Sequence, residues 1–138
     1  MIHFSKWGKL TGCNSLEEYK SSLLSSCNDT KLPITLVALE NKKVVGSVNL
    51  VKCDLPGRED LTPWLSQLYV FPEMRHMGIG AKLVEAAVEE VQRLNWSTLY
   101  LYTSGALTEF YENLGWTRVE EINYLNRLRI IMGIATSA

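Results

Sequence analysis

The sequence predicts an α/β (α+β) fold, in which a mixed, mainly antiparallel sheet of about six strands carries helices on both faces. The first indication is residues 64–94, which have the pattern of a strand, a glycine loop and an amphipathic helix in succession. A second strand pattern follows that helix, and a helical crossover makes the two strands parallel. Hairpin patterns on either side, in residues 33–51 and 116–134, supply the antiparallel strands.

Length and composition indicate one domain over residues 1–138, since 46% of the residues are hydrophobic and 21% are charged. The net charge of −1 gives no electrostatic footprint for nucleic acid. Because the sequence has neither an apolar run long enough to span a membrane nor an opening signal segment, we expect a cytoplasmic protein without a membrane partner. The cysteines lack CxxC spacing, so we expect reduced thiols and no metal site. They are Cys13, Cys27 and Cys53.

The N-terminal region predicts one helix. Ser15 and Glu18 have the spacing of a capping box, which places a helix over about residues 16–26. Upstream of it, Phe4 and Trp7 are spaced to share one face of a helical turn. This region therefore predicts a structural surface helix rather than a dedicated site.

The next segments predict three antiparallel strands. Pro33–Glu40 and Val44–Val51 form a hairpin across a tight turn, and Gly46 indicates a bulge or close packing in the return strand. After a loop, Trp64–Phe71 gives a third strand that ends before a proline. We expect this third strand to lie antiparallel to the second.

Apolar residues recur at three- and four-residue steps from Gly78 to Leu94, which predicts a helix with one buried face. Apolar and polar residues then alternate in a strand that should lie parallel to the one before the helix. A short helix and a final hairpin complete the chain. The predicted elements after the long helix are a strand at Ser97–Thr103, a helix at Ala106–Leu114, and strands at Trp116–Ile122 and Arg127–Ile134.

The loop from Arg75 to Gly80 predicts an anion site. Gly78 and Gly80 remove side chains at the start of a helix, where free amide hydrogens and the helix dipole favour a phosphate. A Rossmann loop would need a small residue where Leu83 stands, and no Walker sequence is present. For the glycines alone, a tight turn explains the pattern equally well.

The string from Val70 to Ala81, VFPEMRHMGIGA, resembles motif A of the GNAT superfamily of acyl-CoA-dependent N-acetyltransferases. In that motif a strand ending in Val-x-Pro precedes Arg or Gln, two residues, Gly, any residue, and Gly or Ala. A second family element follows from Phe110 to Trp116, FYENLGW, at the family spacing. The resemblance covers about residues 36–132 and is to small, stand-alone domains of bacterial type.

The resemblance implies a further strand before the first helix. No segment before Phe4 is long enough to form it, so we expect the N-terminal strand to be missing and the edge at Pro33–Glu40 to be open. An open edge pairs readily with another chain. We therefore expect either a homodimer through this edge or cover by residues 1–10.

The resemblance also implies acetyl-CoA as cosubstrate and assigns its contacts. Main-chain groups of Leu68 and Val70 would hold the pantetheine arm as an added strand does. Arg75 would act as a charge and as a brace for the loop. Main-chain amides would hold the pyrophosphate, those of His76, Met77, Gly78, Ile79, Gly80 and Ala81.

Acetyl transfer to an amine needs a base, an oxyanion donor and an acid for the departing thiolate. The resemblance assigns the acid to Tyr111 and the oxyanion donor to the Val70 amide, although the helix pattern alone favours Tyr111 as a core residue. The resemblance assigns no residue as the base, because Ser66 stands where many family members carry Glu. Relay through water, or an acid such as Glu109 or Glu120, would have to replace it.

We therefore expect an N-acetyltransferase that transfers an acetyl group from acetyl-CoA to a primary amine of a small molecule. Two alternatives stay open: a weak or inactive acyl-CoA-binding module, and a protein or peptide N-acetyltransferase. Trp7, Trp64 and residues 123–126 are candidates for the acceptor pocket, although core packing explains the aromatic residues equally well.

Overall fold

The computed structural model of this protein describes residues 2–7 and 32–136. The strands there are β1 Ile2–Trp7, β2 Ile34–Glu40, β3 Lys43–Val51, β4 Trp64–Val70, β5 Thr98–Thr103, β6 Thr117–Tyr124 and β7 Arg127–Ala135. They form one seven-stranded sheet of order β1-β2-β3-β4-β5-β7-β6. Among these described strands only β4 and β5 pair in parallel, so the predicted mixed, mainly antiparallel sheet is confirmed. The helices are α1 Ile79–Arg93 and α2 Thr108–Glu112, with short 3₁₀ turns at Pro72–Met74 and Gly105–Leu107.

The expectation of a missing N-terminal strand is wrong. β1 pairs antiparallel with β2 from Ile2↔Glu40 to Trp7↔Thr35. A strand advances about 3.3 Å per residue, so these few residues already reach along most of β2. Because β2 is paired on both sides, its edge is closed and the reason for a homodimer through that edge no longer holds.

Both helices contribute to the same hydrophobic core. Leu83, Ala87 and Val91 of α1 are fully buried there, together with Tyr111 of α2. The helix predicted over residues 16–26 lies outside the described residues, so helices on both faces stay a prediction. In the described part of the chain, neither helix has the length and apolar character needed to cross a membrane.

Two irregularities interrupt the strands near the centre of the sheet. The β2–β3 register shifts beside Gly46, where an added Cβ would lie 3.0 Å from both Leu83 Cδ1 and the Tyr69 carbonyl oxygen. The predicted bulge and close packing at Gly46 are thus both present. The β3–β4 register also shifts, and Gln67 there has a φ of 54°.

The parallel strands β4 and β5 separate soon after they meet. Trp64↔Tyr100 is the pair that joins them, supported by a hydrogen bond of 3.0 Å from the Tyr100 amide to the Pro63 carbonyl. Beyond Trp64 the described strands form no further β4–β5 pair, so the sheet opens towards their carboxyl ends. A second, smaller core of Leu55, Trp64 and Ile131 lies on the sheet face opposite α1.

Candidate active site

A groove of about 260 Å³ lies where β4 leads through the glycine loop into α1. It collects most of the residues that the sequence assigned to acetyl-CoA: Val70, Arg75, His76, Gly78, Ile79, Gly80 and Ala81 line it. Leu68 and Met77 do not line it, and the Met77 side chain is exposed. Met74 and Phe110 complete the lining; Phe110 belongs to the FYENLGW element, whereas no sequence signal singles out Met74.

The loop geometry suits an anion. Gly78 is the N-cap of α1 with a left-handed φ of 79°, and its carbonyl accepts the first helical bond, 3.1 Å from the Lys82 amide. The amides of the first turn therefore have no partner inside the helix. Gly80 lies within the helix, and a Cβ there would stand 3.8 Å from Val70 Cγ2 and 3.9 Å from Phe110 Cζ, in the groove itself. Gly78 thus makes the turn, while Gly80 keeps the groove open.

Arg75 fixes the loop to the strand. Its Nε donates to the Val70 carbonyl at 2.9 Å, and its guanidinium carbon lies 5.5 Å from the centre of the Tyr69 ring. This is the loop brace that the resemblance implied. Arg75 also lines the groove, together with the first residues of α1.

The main chain of β4 faces the opening between β4 and β5. The Phe71 amide donates to the Val45 carbonyl of β3 at 2.9 Å. Since main-chain groups alternate in direction along a strand, those of Val70 and Leu68 point away from β3, towards β5. Arg75 already occupies the Val70 carbonyl, so the Val70 amide is the group left for a ligand.

Tyr111 is buried behind the groove rather than in its lining. Its side chain is 6% exposed, and its ring packs 5.0 Å from Phe110 and 5.9 Å from Trp116 between centres. Burial raises the pKa of the Tyr111 hydroxyl, which keeps it protonated at neutral pH. No hydrogen bond to this hydroxyl forms within residues 32–136, so its proton is not committed to another group there.

The structure places a carboxylate next to Ser66, the residue that stands in place of the family Glu. The buried Ser66 hydroxyl donates to Asp54 Oδ1 at 2.9 Å, on the sheet face opposite α1. Burial raises the pKa of Asp54, and the bond from Ser66 partly offsets this effect. No sequence pattern indicates this pair, because Asp54 belongs to the loop after β3. Of the acids considered before, Glu120 is ion-paired with Arg58, and Glu109 is exposed on α2.

A second cavity, of about 440 Å³, lies on the same face as Asp54. Its lining comes from β5, from the end of β6 and the turn that follows it, and from β7: Tyr102, Tyr124, Leu125, Arg127 and Arg129. The predicted acceptor loop, residues 123–126, therefore contributes to it. Trp64 packs in the small core instead, fully buried, with its ring 6.2 Å from that of Tyr102. The Trp7 side chain lies outside the described residues.

Residues 32–118 match the sequence model of the acetyltransferase (GNAT) domain family, which is more than half of the chain. No curated protein matches the chain.

Solved structures share the fold at low sequence identity. An aminoglycoside 6'-N-acetyltransferase complexed with coenzyme A superposes with a TM-score of 0.66 at 21% identity, covering 87% of this chain and 83% of that one. A GNAT family acetyltransferase from Elizabethkingia anophelis with acetyl-CoA bound gives 0.67 at 13% identity, with 97% of both chains covered. The ribosomal-protein-S18-alanine N-acetyltransferase from Escherichia coli gives 0.69 at 16%, covering 100% of this chain and 96% of that one.

Proposed function

Since this chain belongs to the GNAT acetyltransferase family, we propose that it transfers the acetyl group of acetyl-CoA to a primary amine of a small molecule. Membership confirms the enzyme class that the sequence predicted, an acetyl-CoA-dependent N-acetyltransferase. Beyond that enzyme class, we propose the class of acceptor and the roles of individual residues.

The observation that carries the proposal is the Asp54–Ser66 hydrogen bond of 2.9 Å beside the opening between β4 and β5. The glycine groove lies on the α1 side of the sheet, and Asp54 lies on the other side. A thioester in the groove and an amine next to Asp54 would therefore approach the opening from opposite faces. Such an arrangement brings two substrates together without either one blocking the entry of the other.

Asp54 is the proposed base. An alkylammonium ion has a pKa near about 10, so its neutral form is scarce at pH 7 and a carboxylate in contact with it speeds the loss of its proton. Burial raises the pKa of Asp54, which makes it a stronger base than an exposed aspartate. Ser66 holds the carboxylate in place, which gives the serine at the position of the family Glu a role in positioning.

The remaining groups complete the transfer. The amine nitrogen forms a bond to the thioester carbonyl carbon, and the Val70 amide donates to the oxygen that gains charge. The carbon–sulfur bond then breaks, and the Tyr111 hydroxyl gives its proton to the sulfur. The nitrogen releases its remaining surplus proton to solvent, from which the Tyr111 phenolate is protonated again. The groove residues fit the cosubstrate, because the free α1 amides and Arg75 suit a pyrophosphate, and Phe110, Met74 and Val70 provide apolar contact.

Two features would favour an inactive binding module: Ser66 in place of the family Glu, and a missing N-terminal strand. The strand β1 is present, and the Asp54 carboxylate is hydrogen-bonded to Ser66, so catalysis is the better-supported proposal. The test is release of free thiol from acetyl-CoA in the presence of a panel of small amines, with mass spectrometry of the acetylated product. Binding of acetyl-CoA without thiol release for any amine would favour the binding module instead. Acetylation of peptide N-termini alone would favour the peptide acetyltransferase.

A further inference from the structure

The cavity opposite α1 carries charge that the described part of the chain leaves unpaired. Arg127 and Arg129 line it, and neither guanidinium takes part in the ion pairs of residues 32–136, which use Arg58, Arg93 and Arg118. Among the described residues, the one hydrogen bond of the Arg129 side chain is a bond of 3.4 Å to the adjacent Leu128 carbonyl. Two cationic side chains at the rim of one cavity provide a site for an anionic group.

The sheet register places these arginines on the same face as Asp54. Alternate residues of β7 lie on the same face of the sheet, and these include Arg127, Arg129 and Ile131. Ile131 belongs to the small core on that face. Tyr102 pairs with Ile131 across β5 and β7, so Arg129 lies diagonally next to Tyr102. On the other side of β5, Trp64 of β4 pairs with Tyr100. Ser66 and Tyr102 each lie two residues further along their own strand. Tyr102 therefore lies between the Asp54–Ser66 pair and Arg129.

The order β4-β5-β7 gives the spacing. Two steps between neighbouring strands and the two residues from Ile131 to Arg129 put at least about 12 Å between the main chains of Ser66 and Arg129, because β4 and β5 also diverge beyond Trp64. The side chains of Asp54 and Arg129 take up part of this distance, so a small molecule with an amine at one end and an anionic group at the other can form charge-assisted hydrogen bonds at both ends. Electrostatics agrees: burial raises the pKa of Tyr102 most and the Asp54 carboxylate raises it further, whereas the Arg129 guanidinium lowers it.

We propose that the acceptor is an aminocarboxylate, with its amine at Asp54 and its carboxylate held by Arg129 and Arg127. A carboxylate matches the two parallel N–H groups of a guanidinium, which supports this class over a neutral amine. The rings of Tyr102 and Tyr124 and the exposed Leu125 side chain provide the walls for the body of the substrate. This inference rests on the proposed function, because it assigns the acceptor of the same reaction.

The experiment compares each free amino acid with its own carboxamide, using thiol release at saturating acetyl-CoA. The carboxamide has nearly the same shape but lacks the negative charge, and because its amine is also less basic, each acceptor is compared between parent and variant. An aminophosphonate analogue separates carboxylate from other oxyanions. The variants are Arg129→Gln and Arg127→Gln, and the control is Arg93→Gln, which removes an arginine that pairs with Glu90 at the end of α1. Circular dichroism and thermal melting confirm that each variant is folded.

We expect free amino acids to be better acceptors than their amides. Loss of one charge-assisted contact should raise KM for the free amino acid by about 10- to 100-fold in Arg129→Gln, with kcat and the kinetics of the amide unchanged. Arg93→Gln should behave as the parent. A purely structural role of Arg129 would raise KM for both acceptors equally and would overturn the inference. Equal use of amides and free amino acids, preference for the aminophosphonate, or acetylation confined to neutral amines or peptides would also overturn it. Absence of thiol release with any amine would overturn the proposed function as well.

Discussion

Replacing Asp54 by asparagine tests the assignment of the base directly. Asparagine has nearly the same shape and still offers an oxygen to the Ser66 hydroxyl, which lies 2.9 Å from Asp54 Oδ1, so only the basic group is lost. A positioned general base contributes typically about 10²- to 10⁴-fold, and we expect kcat at neutral pH to fall within that range. The affinity for acetyl-CoA should stay as in the parent, because its groove lies on the other face of the sheet.

Asp54→Asn should lose activity without losing thermal stability. Burial raises the pKa of Asp54 above its value in the unfolded chain, so folding favours the protonated form. Any stability from this group is present at acidic pH and is lost as the pH rises through the folded-state pKa. At pH 7 the ionised Asp54 therefore works against folding, and Asp54→Asn should melt no lower than the parent there. The combination of lost turnover and unchanged melting distinguishes a base from a structural residue.

Ser66→Ala should change the pH dependence of kcat in a way that identifies Asp54 as the base. The Ser66 hydroxyl stabilises the ionised Asp54, and a hydrogen bond to a charged group contributes about 1.5 kcal/mol at the lower end of its range. Without it the pKa of Asp54 rises, and the ionised fraction on the acidic limb of the kcat profile falls by about tenfold. The rate on the high-pH plateau should fall less than in Asp54→Asn, because the carboxylate is kept but loses the hydrogen bond that positions it. The acidic limb should therefore move to higher pH.

The assay is steady-state thiol release between pH 4 and 10 at saturating concentrations of both substrates. Asp60→Asn is the control, because Asp60 lies in the same loop but is exposed and paired with Arg58. Parental rates in Asp54→Asn across this range would refute the reasoning. The amine would then lose its proton to solvent or through relayed water, and the profile would rise with the deprotonation of the free amine.

Three further predictions concern the cosubstrate. Acetyl-CoA at 100 times its dissociation constant should add about 2.7 kcal/mol to the free energy of unfolding, whereas a thermal shift with ATP or NAD instead would contradict the assigned groove. Gly80→Val should stay folded and lose this shift, since its side chain would enter the groove beside Val70 and Phe110; binding as tight as in the parent would mean that the glycine only shapes the turn. Tyr111→Phe should lower kcat by roughly 10²- to 10⁴-fold with unchanged acetyl-CoA affinity, because it removes only the hydroxyl from a packed ring; equal rates would leave Tyr111 as a core residue.

The sequence predicted the elements whose signals are local. Strand alternation and helical periodicity placed β2 to β7 and α1 to within one or two residues, and the glycine loop identified the groove. β1 was missed because Phe4 and Trp7 also fit a helical turn, and only pairing with β2 decides between the two. Asp54 was missed for a similar reason, since its meeting with Ser66 depends on how the loop between β3 and β4 folds back over the sheet.

The bulge at Gln67 is the feature that makes one strand serve both substrates. By simple alternation Trp64, Ser66, Leu68 and Val70 would all lie on one face of β4. The extra residue at Gln67 reverses the alternation, so that Leu68 and Val70 pack against the α1 core while Ser66 stays with Asp54 on the other face. Asn49 of β3 holds the bulge, donating to Gln67 Oε1 at 2.9 Å. The same strand can thus present an amide to the thioester on one side and position the base for the amine on the other. A bulge at a non-glycine residue with positive φ has no reliable sequence signal, and for this reason the division of β4 emerged only from the structure.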